Sequence, residues 1–535
     1  MPGMVHSAVV FLAAFSVLAW NVNQYGIAAA YSDPGAKLRA QDESIYVNSA
    51  LRIVEDGDWL TPKVLGRPYY QKPPMLMWLS ALSVSTFGIS LFSVRLPSLL
   101  LGALAVTAVF LWCGRLHSLG AGLLAAGLLL LSPFWQILSR LCYTDIPASA
   151  FGVLALTCVA FDLQLERRRT RIAAGFLAAA GVMTKGPAGI LVVAALMVWW
   201  IVLPAVLRPA MWKFGELLAV LCAAVAPWYA YQLLVHPHWF QADMIQLAAL
   251  GAGKRPEQAG VFDRQVFYYA QRLLEMDPAT VLLAVVGLAG SWRLSRLREQ
   301  PERLLVVCWV LLTAVGISAF QVRNLPYVVL LLPPLLIWGA GVLNPRVLIA
   351  AGVLVLAAIL RITGDVVAPP IKAAEDMRAY YKLHRNAELI AVESGDEFYA
   401  STLPLPRVRY AFLDPAGAIL RTVPHYASMG VVLNSDQFAV LPTLMPQFRA
   451  ELARYDWNST EPVGTVLALR QPQDLAAVIR THPGSDFYIP SAWKSALEES
   501  SDSHAQAAAS DGRIFLLSKT AKLRRDAPPD LPAHW

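Results

Sequence analysis

The side chains best suited to chemistry in this sequence are charged groups standing at the ends of apolar runs. Asp42 and Glu43, in Gln41-Asp42-Glu43-Ser44, precede a helical stretch, Ile45 to Val54, whose Ile45, Leu51 and Val54 form an apolar face. A carboxylate at such a start either caps the helix and complements its dipole or serves as a general base beside a membrane cleft; the two roles are compatible. Asp145, in Ser139-Arg140-Leu141-Cys142-Tyr143-Thr144-Asp145-Ile146-Pro147, opens another apolar run and carries the same pair of readings. The basic counterparts are Lys72, in Tyr70-Gln71-Lys72-Pro73-Pro74, Lys185, in Met183-Thr184-Lys185-Gly186-Pro187, and Arg323, in Val322-Arg323-Asn324-Leu325-Pro326-Tyr327. Arg140 and Arg95 are further candidates. Lysines at an interface commonly snorkel. Several basic groups gathered on one surface instead suit a phosphate-bearing lipid, whose oxygens accept charge-assisted hydrogen bonds.

Other patterns carry less. Gly251-Ala252-Gly253-Lys254-Arg255 lacks the spacing and the following hydroxyl of a nucleotide phosphate loop. His236 and His238 flank Pro237 without further ligands at metal spacing, so no metal site is expected. Asn458-Ser459-Thr460 matches a glycosylation acceptor, a pattern common by chance. The five cysteines lie in or beside apolar segments, which argues against a disulfide framework.

The elements that must hold these charges are membrane helices. Of 535 residues, 56% are hydrophobic and only 15% charged, and the mean hydropathy is +0.49, far from soluble-domain composition. Spans are predicted near Ala8 to Ile27, Leu96 to Cys113, Gly120 to Leu138, Pro147 to Leu163, Ile172 to Met183, Ala188 to Val206 and Leu217 to Val235. Four more follow at Ala279 to Leu294, Leu304 to Phe320, Leu325 to Val342 and Val347 to Leu360, about eleven in all. The first reads as an uncleaved span because no basic segment precedes it and no cleavage site follows. Met75 to Ile89 is too short for a full crossing and is expected to be interfacial or re-entrant.

The net charge of +7 points to topology rather than to nucleic acid. Basic clusters at Arg115, at Arg167 to Arg171, at Arg208 with Lys213, at Arg293 to Arg303 and at Arg346 fall at every second turn. The positive-inside bias makes that the cytoplasmic side. The segments Tyr31 to Pro74, Ser139 to Asp145, Thr184 to Pro187, His236 to Asp277 and Val322 to Tyr327 then share the outer face. The fold expected is a polytopic α-helical membrane protein over 1–362, with the first outer loop, 31–74, as a catalytic segment. A separate periplasmic α/β domain is expected over 363–535, with strands at Leu389 to Val392, Gly430 to Leu433 and Phe515 to Ser518 and a helix near Ala373 to Leu383.

Asp42-Glu43-Ser44-x-Tyr46, Gly57-Asp58-Trp59-Leu60-Thr61-Pro62, Lys72-Pro73-Pro74, Phe87-Gly88 and Arg95-Leu96-Pro97-Ser98 together resemble the GT-C glycosyltransferases. The closest likeness is to the aminoarabinose transferases that modify lipid A, with protein O-mannosyltransferases more distant. Thr184-Lys185-Gly186 and Leu325-Pro326-Tyr327 also resemble that family. The resemblance implies a GT-C membrane fold, a polyprenyl-phosphate-linked sugar as donor, a lipid, glycan or protein acceptor, and an active site at the outer surface of a bacterial inner membrane. It implies a catalytic aspartate at Asp42, with Glu43 beside it, a donor-phosphate lysine at Lys72, joined by Lys185, Arg323 and Arg140, and a second acidic residue at Asp145. No cofactor is implied. Where aminoarabinose transferases commonly carry Glu before Lys-Pro-Pro, this chain has Gln71, a departure that counts against the specific assignment to aminoarabinose and against a metal bound by that side chain. A polyprenyl-linked sugar flippase is the rival from another class. It would carry polar groups through the membrane core, whereas the spans here are apolar and the polar set gathers at one surface.

Overall fold

The computed structural model describes residues 3–20, 22, 43–64, 67–88, 90–237, 240–241, 244, 268–290, 299–319 and 324–340. Beyond residue 340 it describes 389–394, 408–413, 431–433, 466–469, 476, 479–480, 483–491, 504–508 and 513–519. The first part is helical: α1 (Met4–Ala19), α2 (Glu43–Asp56), a two-stranded ribbon of β1 (Lys63–Val64) and β2 (Arg67–Pro68), α3 (Met75–Phe87) and α4 (Leu91–Leu116). Then come α5 (Leu119–Leu131), α6 (Pro133–Ser139), α7 (Asp145–Ala160), α8 (Arg168–Thr184), α9 (Gly186–Val202) and α10 (Met211–Val235). The last are α11 (Tyr268–Met276), α12 (Pro278–Gly290), α13 (Pro301–Ala319), a 3-10 helix (Leu325–Leu330) and α14 (Leu332–Gly339).

Helices lie within each span expected between Ala8 and Val342; Val347 to Leu360 lies outside the described residues. By length and apolarity α4, α10 and α13 are each able to cross a membrane, and α5 with α6 passes the same test only as a pair, bent by 64°, which is the form of a broken span or a re-entrant loop. The bend falls where Pro133, lacking an N–H, starts α6 after Ser132 has closed α5. The remaining apolar helices are shorter. α3 has 13 residues, a reach of about 20 Å, short of the roughly 30 Å hydrocarbon core.

Small residues bring the helices together, because lipid offers no hydrophobic drive for their association and close packing must supply it. A Cβ on Gly189 would collide with the Val182 backbone, so α8 and α9 meet where only hydrogen fits. Inside, Trp112 of α4 stacks on Trp309 of α13, with ring centroids 6.1 Å apart. Outside, Phe176, Ile190, Leu234, Leu282 and Val315 are exposed on helix surfaces, as a bilayer-facing surface requires.

In the C-terminal part the strands are β3 (Leu389–Ser394), β4 (Val408–Leu413), β5 (Val431–Leu433), β6 (Val466–Leu469), β7 (Asp486–Pro490), β8 (His504–Ala508) and β9 (Arg513–Ser518). They form one sheet in the order β5-β6-β4-β3-β7-β9-β8. Its pairs are parallel from β5 to β7 and antiparallel between β7, β9 and β8. The expected strands at Leu389 to Val392 and Phe515 to Ser518 fall within β3 and β9, and the one at Gly430 to Leu433 coincides with β5 from Val431 on, whereas Gly430 and the helix expected near Ala373 to Leu383 lie outside the described residues.

Candidate active site

Lys185 is the single residue between two helices. It is the C-cap of α8 and the N-cap of α9, with φ −153° and ψ 87°. The turn is that tight because Pro187 presets the first turn of α9 while Gly189 lets the two helices close on each other. Asp145 stands in the first turn of α7 and is fully buried. Its Oδ1 accepts a bond from Lys185 Nζ at 2.6 Å. The same Nζ lies 4.2 Å from the ring centroid of Tyr327, in the 3-10 helix, and that helix is held to α7 by Ser149 Oγ donating to the Val329 carbonyl at 3.1 Å.

Three segments far apart in the chain thus converge on one ammonium. The capping reading of Asp145 accounts for its place on the helix but not for its bonds, which run to Lys185. Its second oxygen, Oδ2, is buried without a hydrogen-bond partner. A buried acceptor without a donor is costly, about 1–3 kcal/mol, and is a common mark of a site that a ligand completes.

Lys72 is half-buried after the turn that leads into α3 and makes no ion pair with a described residue. The loop before it is anchored on α10: Trp228 Nε1 donates to the Leu60 carbonyl at 2.9 Å and Gln232 Nε2 to the same oxygen at 2.5 Å. Thr61 Oγ1 lies 3.4 Å from His236 Nε2, and Tyr70 packs edge-on to Phe240 at 5.6 Å. Gly57, at φ +68°, ends α2 in a conformation that only glycine adopts without strain. Gly57-Asp58-Trp59-Leu60-Thr61-Pro62 is therefore a docking segment, with Asp58 Oδ1 accepting from the Leu60 and Thr61 amides. His236 belongs to that dock, and no group of metal-binding side chains occurs among the described residues.

Three expected site residues are otherwise engaged. Glu43 is fully buried and its carboxylate spans the guanidinium of Arg95, Oε1 accepting from Nε at 2.8 Å and Oε2 from Nη2 at 2.9 Å. Oε1 also accepts from the Cys142 amide at 2.8 Å, and Arg95 Nη1 donates to the Val22 carbonyl at 2.9 Å. Glu43 and Arg95 thus tie α2, α4 and the loop entering α7 into one unit. Arg140 donates to the Val17 carbonyl at 2.8 Å and to Gln136, bracing α6 against α1. Asp42 and Arg323 lie outside the described residues. Two participants escaped the sequence reading: Tyr327 as the aromatic face under Lys185, and Tyr229, whose hydroxyl would sit 3.5 Å from a Cβ placed on Gly186. Leu325-Pro326-Tyr327 was part of the resemblance, but nothing local specified where the ring would point.

Asp277, just before α12, is buried and accepts from the Thr280 amide at 3.2 Å. Burial pushes its carboxyl above the ordinary range.

Residues 71–234, which include Lys72, Asp145 and Lys185, match the family described as dolichyl-phosphate-mannose-protein mannosyltransferase. The undecaprenyl phosphate-alpha-4-amino-4-deoxy-L-arabinose arabinosyl transferase 1 of Sodalis glossinidius is 29% identical over 318 residues, covering 56% of this chain and 54% of that protein. The corresponding transferase of Pseudomonas savastanoi pv. phaseolicola is 27% identical over 318 residues, 56% of each chain. The chain thus spans about half the length of these curated relatives. The crystal structure of ArnT from Cupriavidus metallidurans bound to undecaprenyl phosphate aligns over 96% of this chain and 98% of that one, with a TM-score of 0.64 at 15% identity. The chain therefore has the polytopic helical fold of that ArnT structure, the GT-C fold, and is similar in sequence to the aminoarabinose transferases.

Proposed function

We propose that this protein is a membrane glycosyltransferase that moves a sugar from a polyprenyl-phosphate donor to lipid A or a related envelope glycolipid, at the periplasmic face of the inner membrane. The observation that carries this reading is the buried Lys185 ammonium held between Asp145 and Tyr327, at the end of the bundle reached by α7, α8 and the 3-10 helix. The ArnT of that crystal structure is bound to undecaprenyl phosphate, and the relatives' names give the same carrier with an aminoarabinose unit.

The reaction is an inverting displacement. An acceptor oxygen attacks the anomeric carbon, the bond from that carbon to the phosphate oxygen breaks, and its electron pair leaves on polyprenyl phosphate. Such a leaving group needs little acid assistance; it needs positive charge where negative charge develops, a task for Lys72 with Lys185 and Arg323. If the acceptor is a hydroxyl, Asp42 takes its proton. If it is an already ionised lipid phosphate, Asp42 orients it or stabilises the cationic sugar ring. Asp145 presets the Lys185 ammonium, and its open Oδ2 suits a donor group of the sugar. About eleven spans and the outward orientation belong to this proposal, on the strength of the basic turns.

The match to protein mannosyltransferases favours one second reading, a hexose moved to a protein. Mass spectrometry of lipid A, other glycolipids and periplasmic glycoproteins from cells with and without the protein separates the two. Loss of a pentose-sized unit from lipid A supports the proposal, and loss of a hexose from a protein supports the second. If nothing changes, and the purified protein releases no polyprenyl phosphate, the transferase reading fails and the flippase gains.

A further inference from the structure

The end of the bundle opposite Lys185 carries an arrangement that sugar transfer does not use. α8 is 17 residues long, about 25 Å, with Arg168 at its start and Lys185 at its end. α7 runs from Asp145 to this far end, and α9 returns to it from Lys185. Here the loop after α7, the start of α8, the turn after α9 and the start of α10 come together, with Gln164 Nε2 donating to the Leu207 carbonyl at 2.8 Å.

Arg167, Arg168, Arg169, Arg171, Arg208 and Lys213 gather around the carboxylates of Asp162, Glu166 and Glu216, leaving a clear excess of positive charge. The carboxylates organise part of the set. Glu216 accepts from Arg168 Nε at 3.1 Å and from Arg171 Nε at 2.5 Å, and Glu166 pairs with Lys213 Nζ at 2.7 Å. Arg168 is bonded only through Nε and its side chain is 78% exposed, so its Nη donors face outward. Arg167 and Arg169 are exposed and form no ion pair with a described residue. Between these charges lies an apolar floor. Trp212 is 63% exposed, with Arg171 5.1 Å and Lys213 5.7 Å from its ring centroid, and Met211, next to it in sequence, and Val206, in the turn after α9, are more exposed still.

Retaining a loop in the cytoplasm requires only charge, in any geometry. An exposed indole with the Arg171 guanidinium and the Lys213 ammonium against its ring, beside the exposed Arg167, Arg168 and Arg169 at the start of α8, is more specific than that. It offers bidentate donors to a phosphodiester at headgroup level and an aromatic and thioether surface to the chain below it. We propose that this cluster is a binding site for an anionic glycerophospholipid of the leaflet opposite the sugar-transfer site. Arg167 and Arg168 hold the phosphate, and Trp212 with Met211 takes the first part of an acyl chain. The surface ion pairs within the cluster are worth little individually, so a phosphate displaces solvent and not a stable lock.

The test is native mass spectrometry of the full-length protein in detergent, titrated with phosphatidylglycerol or phosphatidylcholine, with thermal unfolding measured in parallel. We expect a one-to-one phosphatidylglycerol adduct and an upward shift in Tm, neither of which phosphatidylcholine produces. Arg167→Gln with Arg168→Gln should weaken phosphatidylglycerol binding about tenfold. Trp212→Leu leaves every Lys and Arg, and therefore the topology signal, in place, and should also lower retention. Lys185→Ala, at the other membrane face, should leave the adduct intact. Equal retention of both lipids by the unaltered protein overturns the proposal, as does full retention by both the double variant and Trp212→Leu. A co-purifying polyprenyl phosphate held by these residues would overturn the phospholipid assignment as well.

Discussion

At the scale of single residues, the energetics turn on charges taken out of water. Asp145 and Lys185 are buried together, and removing one partner of such a pair leaves the other uncompensated, at a cost of about 3–5 kcal/mol. Asp145→Asn keeps the shape and an acceptor oxygen. We expect it to fold, to bind polyprenyl phosphate, and to turn over about a hundredfold or more slowly. Product release by the purified variant measures this, and wild-type turnover would remove Asp145 from the mechanism. Lys72→Ala should instead lower donor affinity about tenfold, because its half-buried ammonium has no ion-pair partner among the described residues to reclaim it. Titration with polyprenyl phosphate in detergent reads that out, and unchanged affinity counts against a phosphate contact. Both residues were legible in the sequence as charges placed at the ends of apolar runs. Arg95 and Arg140 carry the same local signature, yet they turn inward. What distinguishes them is a partner 52 residues away in one case and 123 in the other.

At the scale of elements, the Glu43–Arg95 pair is the joint that places the start of α2 against the entry to α7. Glu43 opens α2, Arg95 lies in α4 and Cys142 stands three residues before Asp145. Arg95→Met alone should destabilise by about 3–5 kcal/mol by stranding a buried carboxylate, whereas Arg95→Met with Glu43→Gln should recover most of the loss. Thermal unfolding of the three proteins in one detergent decides it; a double variant no better than the single would mean that packing, not charge, makes the joint. A second joint lies on the opposite face, where Asp162 accepts from the Glu166 and Arg167 amides at 3.0 and 2.9 Å. Burial opposes its ionisation, but those bonds, with Thr170 and the nearby Arg167, hold the carboxyl below the ordinary range. Its folded value is therefore below its unfolded one. Its contribution to stability is present above the unfolded value and is lost as pH falls through the folded one. Asp162→Asn should lower Tm slightly at neutral pH, with the difference closing under acid; a constant difference would show that the charge plays no part.

At the scale of the whole molecule, α7, α8 and α9 place the two polar clusters at opposite ends of the bundle, one around Lys185 and one around Arg168. In a background where the exposed Cys222 is replaced by Ser, single cysteines at Lys72 and Arg169 should react with a membrane-impermeant maleimide from opposite sides, Lys72 from the periplasm. Labelling of both from one side would break the topology. The positions of the helices were legible because apolar runs report span location directly. The bend between α5 and α6 was not, although Pro133 marks the spot, since a proline states where a helix yields and not by how much. The C-terminal sheet was legible as separate strands only; its order places β3 between β4 and β7, a matter of pairing over long sequence separations.

By itself the sequence determined the solvent, the helices, and the stations at which charged groups stand, because hydropathy, proline placement and terminal charge are properties of short stretches of chain. Tertiary structure alone decided which of those charges meet each other. Helix rotation and crossing set that outcome. A rotation of one helix by about 100°, one residue's worth, would turn Arg95 away from Glu43, and the backbone signals that make it a helix would be unchanged. The same packing seats Lys185 on Tyr327 and leaves an oxygen of Asp145 without a donor.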